Sequence, residues 1–156
     1  LVGYSALSSP GSGSVNITSD AGSVNVTGTS ITARYLTINS GDGILLDGAG
    51  QAFYANTISS AANLTAKHLI TVNNADLSSF GSVNMAANTV NLYNVAFGDG
   101  STVTLKSLNG VLAPNPNTGA ASVPGDVNFL YNVTYAGSPA QNYVNNGSGI
   151  TITTLH

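Results

Sequence analysis

The chain has 156 residues, 42% of them hydrophobic and only 6% charged, with a formal net charge of −3 and no cysteine. Those values exclude a disulfide framework, argue against disorder and leave no basic surface for nucleic acid, and ordinary soluble domains carry about 25% charged residues, so the charge deficit is itself a defining trait. No stretch of about 18 apolar residues occurs, so no membrane-spanning helix is expected.

Every acidic residue is Asp (Asp20, Asp42, Asp47, Asp76, Asp99, Asp126), and Arg34, Lys67 and Lys106 are the only Lys or Arg residues. Val, Ile, Thr, Ser, Asn and Gly stand where helices would draw on Glu, Lys, Arg, Gln and Leu, so the chain reads as all-β. Its length suits one well-buried core and gives no reason for a second domain.

Residues 1–13 predict an N-terminal arm: an apolar strand, Leu1-Val2-Gly3-Tyr4-Ser5-Ala6-Leu7, and a flexible tether, Ser8-Ser9-Pro10-Gly11-Ser12-Gly13. A start at Leu1, without Met or a charged leader, is what a processed or otherwise trimmed chain would show, from which any export signal would already have been removed. A repeated phrase then begins. Ser14-Val15-Asn16-Ile17-Thr18 is echoed by Gly22-Ser23-Val24-Asn25-Val26-Thr27, by Gly81-Ser82-Val83-Asn84-Met85 and by Val90-Asn91-Leu92. Other apolar clusters lie at Ile31, Leu36-Ile38, Ile44-Leu46, Ala52-Tyr54, Ile58, Leu64, Leu69-Val72, Leu77, Val95-Phe97, Val103-Leu105 and Leu108-Val111. Within a cluster the order is inside, outside, inside: Val15 and Ile17 inward with Asn16 outward, Val24 and Val26 around Asn25, Val103 and Leu105 around Thr104.

Asn39-Ser40, Gly41-Asp42-Gly43, Asp47-Gly48, Asn73-Asn74 and Gly98-Asp99-Gly100 read as turns, because Gly, Asn and Asp accept the conformations that turns demand. Short apolar strands separated by such turns predict a right-handed parallel β-helix (β-solenoid) over residues 14–111, with two or three strands per turn. Residues 112–156 depart from the pattern. Pro114, Pro116 and Pro124 predict a loop outside any central ladder, since proline has no backbone donor. The longer strands Val127–Tyr135 and Gly149–Leu155 then predict a distinct C-terminal β element, which covers or extends the solenoid.

The Gly-Ser-Val-Asn rungs and the phrase Gly100-Ser101-Thr102-Val103-Thr104-Leu105-Lys106-Ser107-Leu108-Asn109-Gly110 resemble bacterial surface repeat proteins of the filamentous-haemagglutinin and autotransporter-passenger type, over roughly residues 14–111. The resemblance implies a right-handed parallel β-helix at the cell surface, often adhesive. This chain is much shorter than such proteins, and its last part leaves the rung pattern.

Soluble solenoids guard their end rungs with charged, polar or helical caps. Here the first ten residues carry no charged side chain, and the last thirty carry only His156 and the chain carboxylate. Terminal strands of that kind suit strand addition between copies, in a head-to-tail contact that need not close and so grows a filament. The expected function is therefore a structural subunit of a self-assembling extracellular fibre, with itself as partner. Leu1, Val2, Tyr4 and Leu7 would contact Tyr131, Tyr135, Ile150, Ile152 and Leu155 of the next copy. The alternative for the arm is that it folds back as a cap on its own chain.

Chemistry is sparsely represented. Lyases and hydrolases of parallel β-helix folds need converging acids with a base or a cation, whereas these six Asp residues are scattered through turn phrases. No Gly-x-Ser-x-Gly elbow occurs, and His68 is the only internal histidine, so no catalytic residue, transition-metal site or cofactor is expected. Asp42, Asp47 and Asp99 could hold calcium only if brought together. A surface adhesin or carbohydrate-binding fragment is the main alternative, using surface glycans as partners through a flat Thr/Asn face, with Thr151-x-Thr153 as a hint; a polysaccharide lyase or hydrolase is the second. The five Asn-x-Ser/Thr sites, at Asn16, Asn25, Asn63, Asn132 and Asn146, are what an Asn- and Thr-rich composition produces without any glycosylation.

Overall fold

A computed structural model describes residues 6–8, 13–28, 30–48, 53–54, 60–108, 112–114, 121–124, 127–139, 143–145 and 149–152. The first strands are β1 (Ala6–Ser8), β2 (Ser14–Ser19), β3 (Val24–Thr27), β4 (Ser30–Thr32), β5 (Tyr35–Ser40) and β6 (Gly43–Asp47). Next come β7 (Phe53–Tyr54), β8 (Ala61–Ala66), β9 (Leu69–Leu77), β10 (Ser82–Ala87), β11 (Thr89–Phe97) and β12 (Thr102–Ser107). The last six are β13 (Leu112–Pro114), β14 (Ala121–Pro124), β15 (Val127–Tyr135), β16 (Ser138–Pro139), β17 (Tyr143–Asn145) and β18 (Gly149–Ile152). The fold is all-β, with no helix among the described residues.

Sheet 1 has seven strands in the order β17-β18-β12-β10-β8-β5-β2, sheet 2 has six in the order β16-β15-β11-β9-β6-β3, and β1-β4-β7 form a small sheet 3. Pairing is parallel from β2 to β12, from β3 to β15 and throughout sheet 3. Parallel neighbours need a crossover. Here each crossover contains a strand of the other sheet, because β2, β5, β8, β10 and β12 alternate along the chain with β3, β6, β9, β11 and β15; the earlier crossovers also carry β4 and β7 of sheet 3, and the last carries β13 and β14. Ser14 pairs with Tyr35, Tyr35 with Ala61, Ala61 with Ser82 and Ser82 with Thr102, so each return to sheet 1 takes between 20 and 26 residues.

The Val-Asn phrase explains the layout. It opens β3, β15 and the inward-facing part of β2, β10 and β11, so one motif serves strands of both sheets, with Val turned in and Asn turned out. Register then stacks like on like. Val15, Leu36, Ala62, Val83 and Val103 make one row of sheet 1, and Ile17, Ile38, Leu64, Met85 and Leu105 the next. Val24, Ile44, Ile70, Val90 and Val127, then Val26, Leu46, Val72, Leu92 and Phe129, make the facing rows of sheet 2. All four rows belong to one apolar core. Each fully buried Leu, Ile or Phe there contributes about 1.5–3 kcal/mol.

Several expectations change in detail. Asn39 and Ser40 lie within β5 and not in a turn; Ser40 is buried and its Oγ donates to the Gly22 carbonyl at 2.7 Å. Leu69-Val72 and Leu77 belong to the single strand β9, as do Val90-Leu92 and Val95-Phe97 to β11. Each of these strands bends at an Asn in the left-handed region: Asn74 (φ 48°) and Asn94 (φ 54°), followed by Asn132 (φ 45°) in β15. Asn tolerates that conformation better than other side chains, and the bend turns the chain without ending the ladder.

Parallel pairing also continues beyond residue 111, since Val127, Asn128 and Phe129 pair with Val90, Asn91 and Leu92. Where a proline loop was expected, Pro114 and Pro124 lie in paired strands, the separate antiparallel pair β13-β14, which stands outside the two large sheets; Pro116 falls outside the described residues. The final strand β18 runs antiparallel against β12, with Ile152 opposite Val103 and Ile150 opposite Leu105.

Candidate functional site

The side chains expected at a subunit contact lie in three different sheets. Leu1, Val2, Tyr4 and Leu155 fall outside the described residues. Leu7 lies in β1, paired with Ile31 of its own chain, so Ala6–Ser8 follows the fold-back alternative in this single copy. Ile150 and Ile152 likewise pair within their own sheet. Tyr135 belongs to the core and donates its hydroxyl to the Ser101 carbonyl of its own chain. Tyr131 is 59% exposed and stacks on Tyr93, at 5.2 Å between ring centroids.

The edge that sequence reasoning missed is β2. It is the terminal strand of sheet 1, and among the described residues no strand covers its outer side. Its apolar residues, Val15 and Ile17, are only partly buried, while Leu36 and Ile38, one strand further in, are 0% exposed. The signal was present: Val15 and Ile17 are the first members of the repeat, and a first member has a neighbour on one side only.

At the bend between sheets 1 and 2, three turns are tied together. Ser23 Oγ donates to Asp42 Oδ2 at 2.7 Å, and His68 Nδ1 donates to Asp42 Oδ1 at 2.9 Å. Backbone bonds run through the same corner, from Gly41 N to Ser19 O and from His68 N to Asp42 O. The three residue types are those of a hydrolytic triad, but their order is wrong. A nucleophilic Ser needs a base accepting its proton, whereas Ser23 donates to the carboxylate and His68 occupies the other oxygen. The arrangement is a strap across three successive turns.

Hydrogen bonds from His68 and then Ser23, with the nearby His68 and Lys67 charges, hold the Asp42 carboxyl below its ordinary value of 3.8. A carboxyl lowered in the folded state stabilises the fold above its unfolded pKa and loses that contribution as pH falls through the lowered value. Asp42→Asn is therefore expected to lower stability slightly near pH 7, where the ionised carboxyl contributes, and to flatten its fall below about pH 4, so that the two proteins converge in acid. The check is a series of urea midpoints from pH 7 to pH 2.5; parallel curves for both proteins would remove the strap's role.

The remaining candidates do not converge. Asp47 Oδ1 accepts from Asn74 Nδ2 at 3.5 Å, Asp76 Oδ1 accepts from Ser78 N, and Arg34 lies over the Tyr35 ring at 5.2 Å. No group of three or more His, Cys, Asp or Glu residues suited to a metal ion occurs among the described residues.

Asparagine is the more organised chemistry. Asn132 Nδ2 donates to Asn94 Oδ1 (2.7 Å) and Asn94 Nδ2 to Asn74 Oδ1 (3.1 Å), a ladder along the bend of sheet 2. Asn128 donates to Asn91 and Asn84 to Asn63, both at 2.9 Å, on the outer faces of the two sheets. Asn16 and Asn25 stand exposed on the first strands. Comparison of the chain with protein-family models, with curated proteins and with solved structures gave no match.

Proposed function

We propose that this chain is a non-enzymatic structural subunit of an extracellular fibre, a right-handed β-solenoid that polymerises head to tail through its ends. The observation that carries the reading is the β2 edge, with Val15 and Ile17 half-buried at the end of rows whose inner members are fully enclosed. A further layer of strands from a second copy would bury both side chains and complete the backbone ladder. The two ends of sheet 1 differ, β2 at one and the antiparallel β18 and β17 at the other, so the contact is heterologous and open-ended.

The solenoid reading is supported by strands that alternate between two parallel sheets and return in register every 20 to 26 residues. Right-handedness follows the general rule for parallel crossovers. Low charge supports close packing of copies, because self-repulsion is weak. The extracellular setting rests on the resemblance to bacterial surface repeat proteins.

Negative-stain electron microscopy with sedimentation velocity at neutral pH tests the reading. The unmodified chain is expected to form uniform filaments, and Val15→Lys combined with Ile17→Lys is expected to leave folded monomers, as checked by circular dichroism. Discrete monomers of the unmodified chain would overturn it. Deleting residues 1–7 then locates the joint: loss of filaments assigns it to the N-terminal arm, persistence to the β2 edge.

A further inference from the structure

We propose that the outer face of sheet 2 around Tyr93, Leu130 and Tyr131 is a binding platform for an uncharged polysaccharide. The three side chains are 43%, 59% and 59% exposed; Tyr93 and Tyr131 stack on each other, and Leu130 directly precedes Tyr131 in β15. Tyr93 and Tyr131 are register partners, with ring planes 29° apart. The register passes from Leu92 opposite Phe129 to Tyr93 opposite Tyr131, which leaves Leu130 as the extra, outward residue of a bulge. Bulges recur where a strand must re-aim side chains. One face of Tyr131 lies against Tyr93, so its large remaining exposure comes from the opposite face and the ring edges.

Contiguous exposed apolar side chains mark a contact, and their surroundings select the partner. Asn91 and Asn128 lie just before the rings, and Asn94 and Asn132 directly follow them. Both pairs are held by amide-to-amide bonds, at 2.9 Å and 2.7 Å. Neither β11 nor β15 contains an Asp, Glu, Lys, Arg or His residue. Aromatic faces take up the C–H face of a sugar ring, fixed amides exchange hydrogen bonds with its hydroxyls, and the absence of charge matches a neutral chain. A stable protein interface buries about 800 Å² on each partner, far more than three side chains supply, which favours a sugar of a few residues' contact over a protein.

The chain contains no Trp, so tyrosine emission can be followed during titration with cellohexaose, mannohexaose and N-acetylchitohexaose, with hexagalacturonate as the anionic comparison. At least one neutral hexasaccharide is expected to bind. Tyr131→Ala should weaken it about tenfold, the effect of one lost stacking contact, while Tyr131→Phe and Tyr35→Ala should bind as the unmodified chain does. Circular dichroism identifies any variant that fails to fold, and calorimetric titration repeats the measurement without the optical probe. The proposal is overturned if no neutral hexasaccharide binds, if only hexagalacturonate binds, or if folded Tyr131→Ala binds undiminished. It is also overturned if Tyr131→Ala abolishes filaments and leaves sugar binding intact. The titration reads monomer and filament alike, so its failure leaves the fibre reading untouched.

Discussion

Gly98→Ala will lower stability by about 3 kcal/mol, at the upper end of what overpacking costs. For a chain of this length that corresponds to a fall of roughly 6–12 °C in melting temperature. A Cβ built on Gly98 would lie 1.9 Å from the Ser78 carbonyl oxygen and 2.8 Å from its carbon. Leu77 and Phe97 are register partners, so Ser78 and Gly98 leave β9 and β11 side by side with backbone against backbone. A carbonyl fixed in that position cannot rotate away as a side chain would, so the strands themselves must part. Gly41 repeats the situation at the other corner, with its Cβ position 2.1 Å from the Asp20 carbonyl oxygen.

Gly100→Ala supplies the control. Gly100 has φ +72° with nothing within 4 Å of its Cβ position, so only the left-handed backbone is penalised, at about 1–2 kcal/mol. Thermal and urea denaturation followed by circular dichroism would rank the variants. Equal stability of Gly98→Ala and the unmodified chain would mean that the two turns do not stack as described.

Asn94→Val should cost about 2–4 kcal/mol from two separable sources. The first is backbone strain, since a β-branched residue at φ 54° is far less tolerable than Asn. The second is the loss of two ladder bonds, one donated by Asn94 to Asn74 and one accepted from Asn132. Exposed side-chain hydrogen bonds contribute toward the low end of about 0.5–1.5 kcal/mol each. Asn94→Gly keeps the backbone conformation and removes only the amide, so it should cost about 1 kcal/mol. If the Gly variant proved as damaging as the Val variant, strain at the bend would have no part in the effect.

Both residues show where sequence reading stops. Gly98 and Gly100 stand in one turn phrase and look equivalent, yet only Gly98 faces another turn's carbonyl; that difference exists only after two distant turns stack. Asn73-Asn74 was expected to allow a left-handed residue, and Asn74 provides it. Asn94 falls between two apolar clusters that read as separate strands and Asn132 inside one long strand, so neither is visible as a bend within a continuous ladder without the register that places them above Asn74.

The proposed subunit contact was legible only as a principle. Sequence pointed to unguarded ends and named the terminal strands. The structure pairs Ile150 and Ile152 within their own sheet, buries Tyr135 and leaves the half-covered pair at Val15 and Ile17. Burial of an end depends on what lies beside it, which no local pattern records. The same holds for Tyr93 and Tyr131, far apart in the chain and separated by the proline segment.

The sequence by itself determined that the chain is all-β, that Val and Ile turn inward while Asn and Thr turn outward, and that turns fall at Gly41-Asp42 and Gly98-Asp99-Gly100. These follow from side-chain alternation and from backbone freedom, which are properties of a few adjacent residues. Only the tertiary structure decided which strands pair, that one phrase serves two sheets, and which Asn, Tyr and Asp residues meet. Those outcomes depend on register between segments 20 or more residues apart, and register is set by the fit of whole rows of side chains in a shared core.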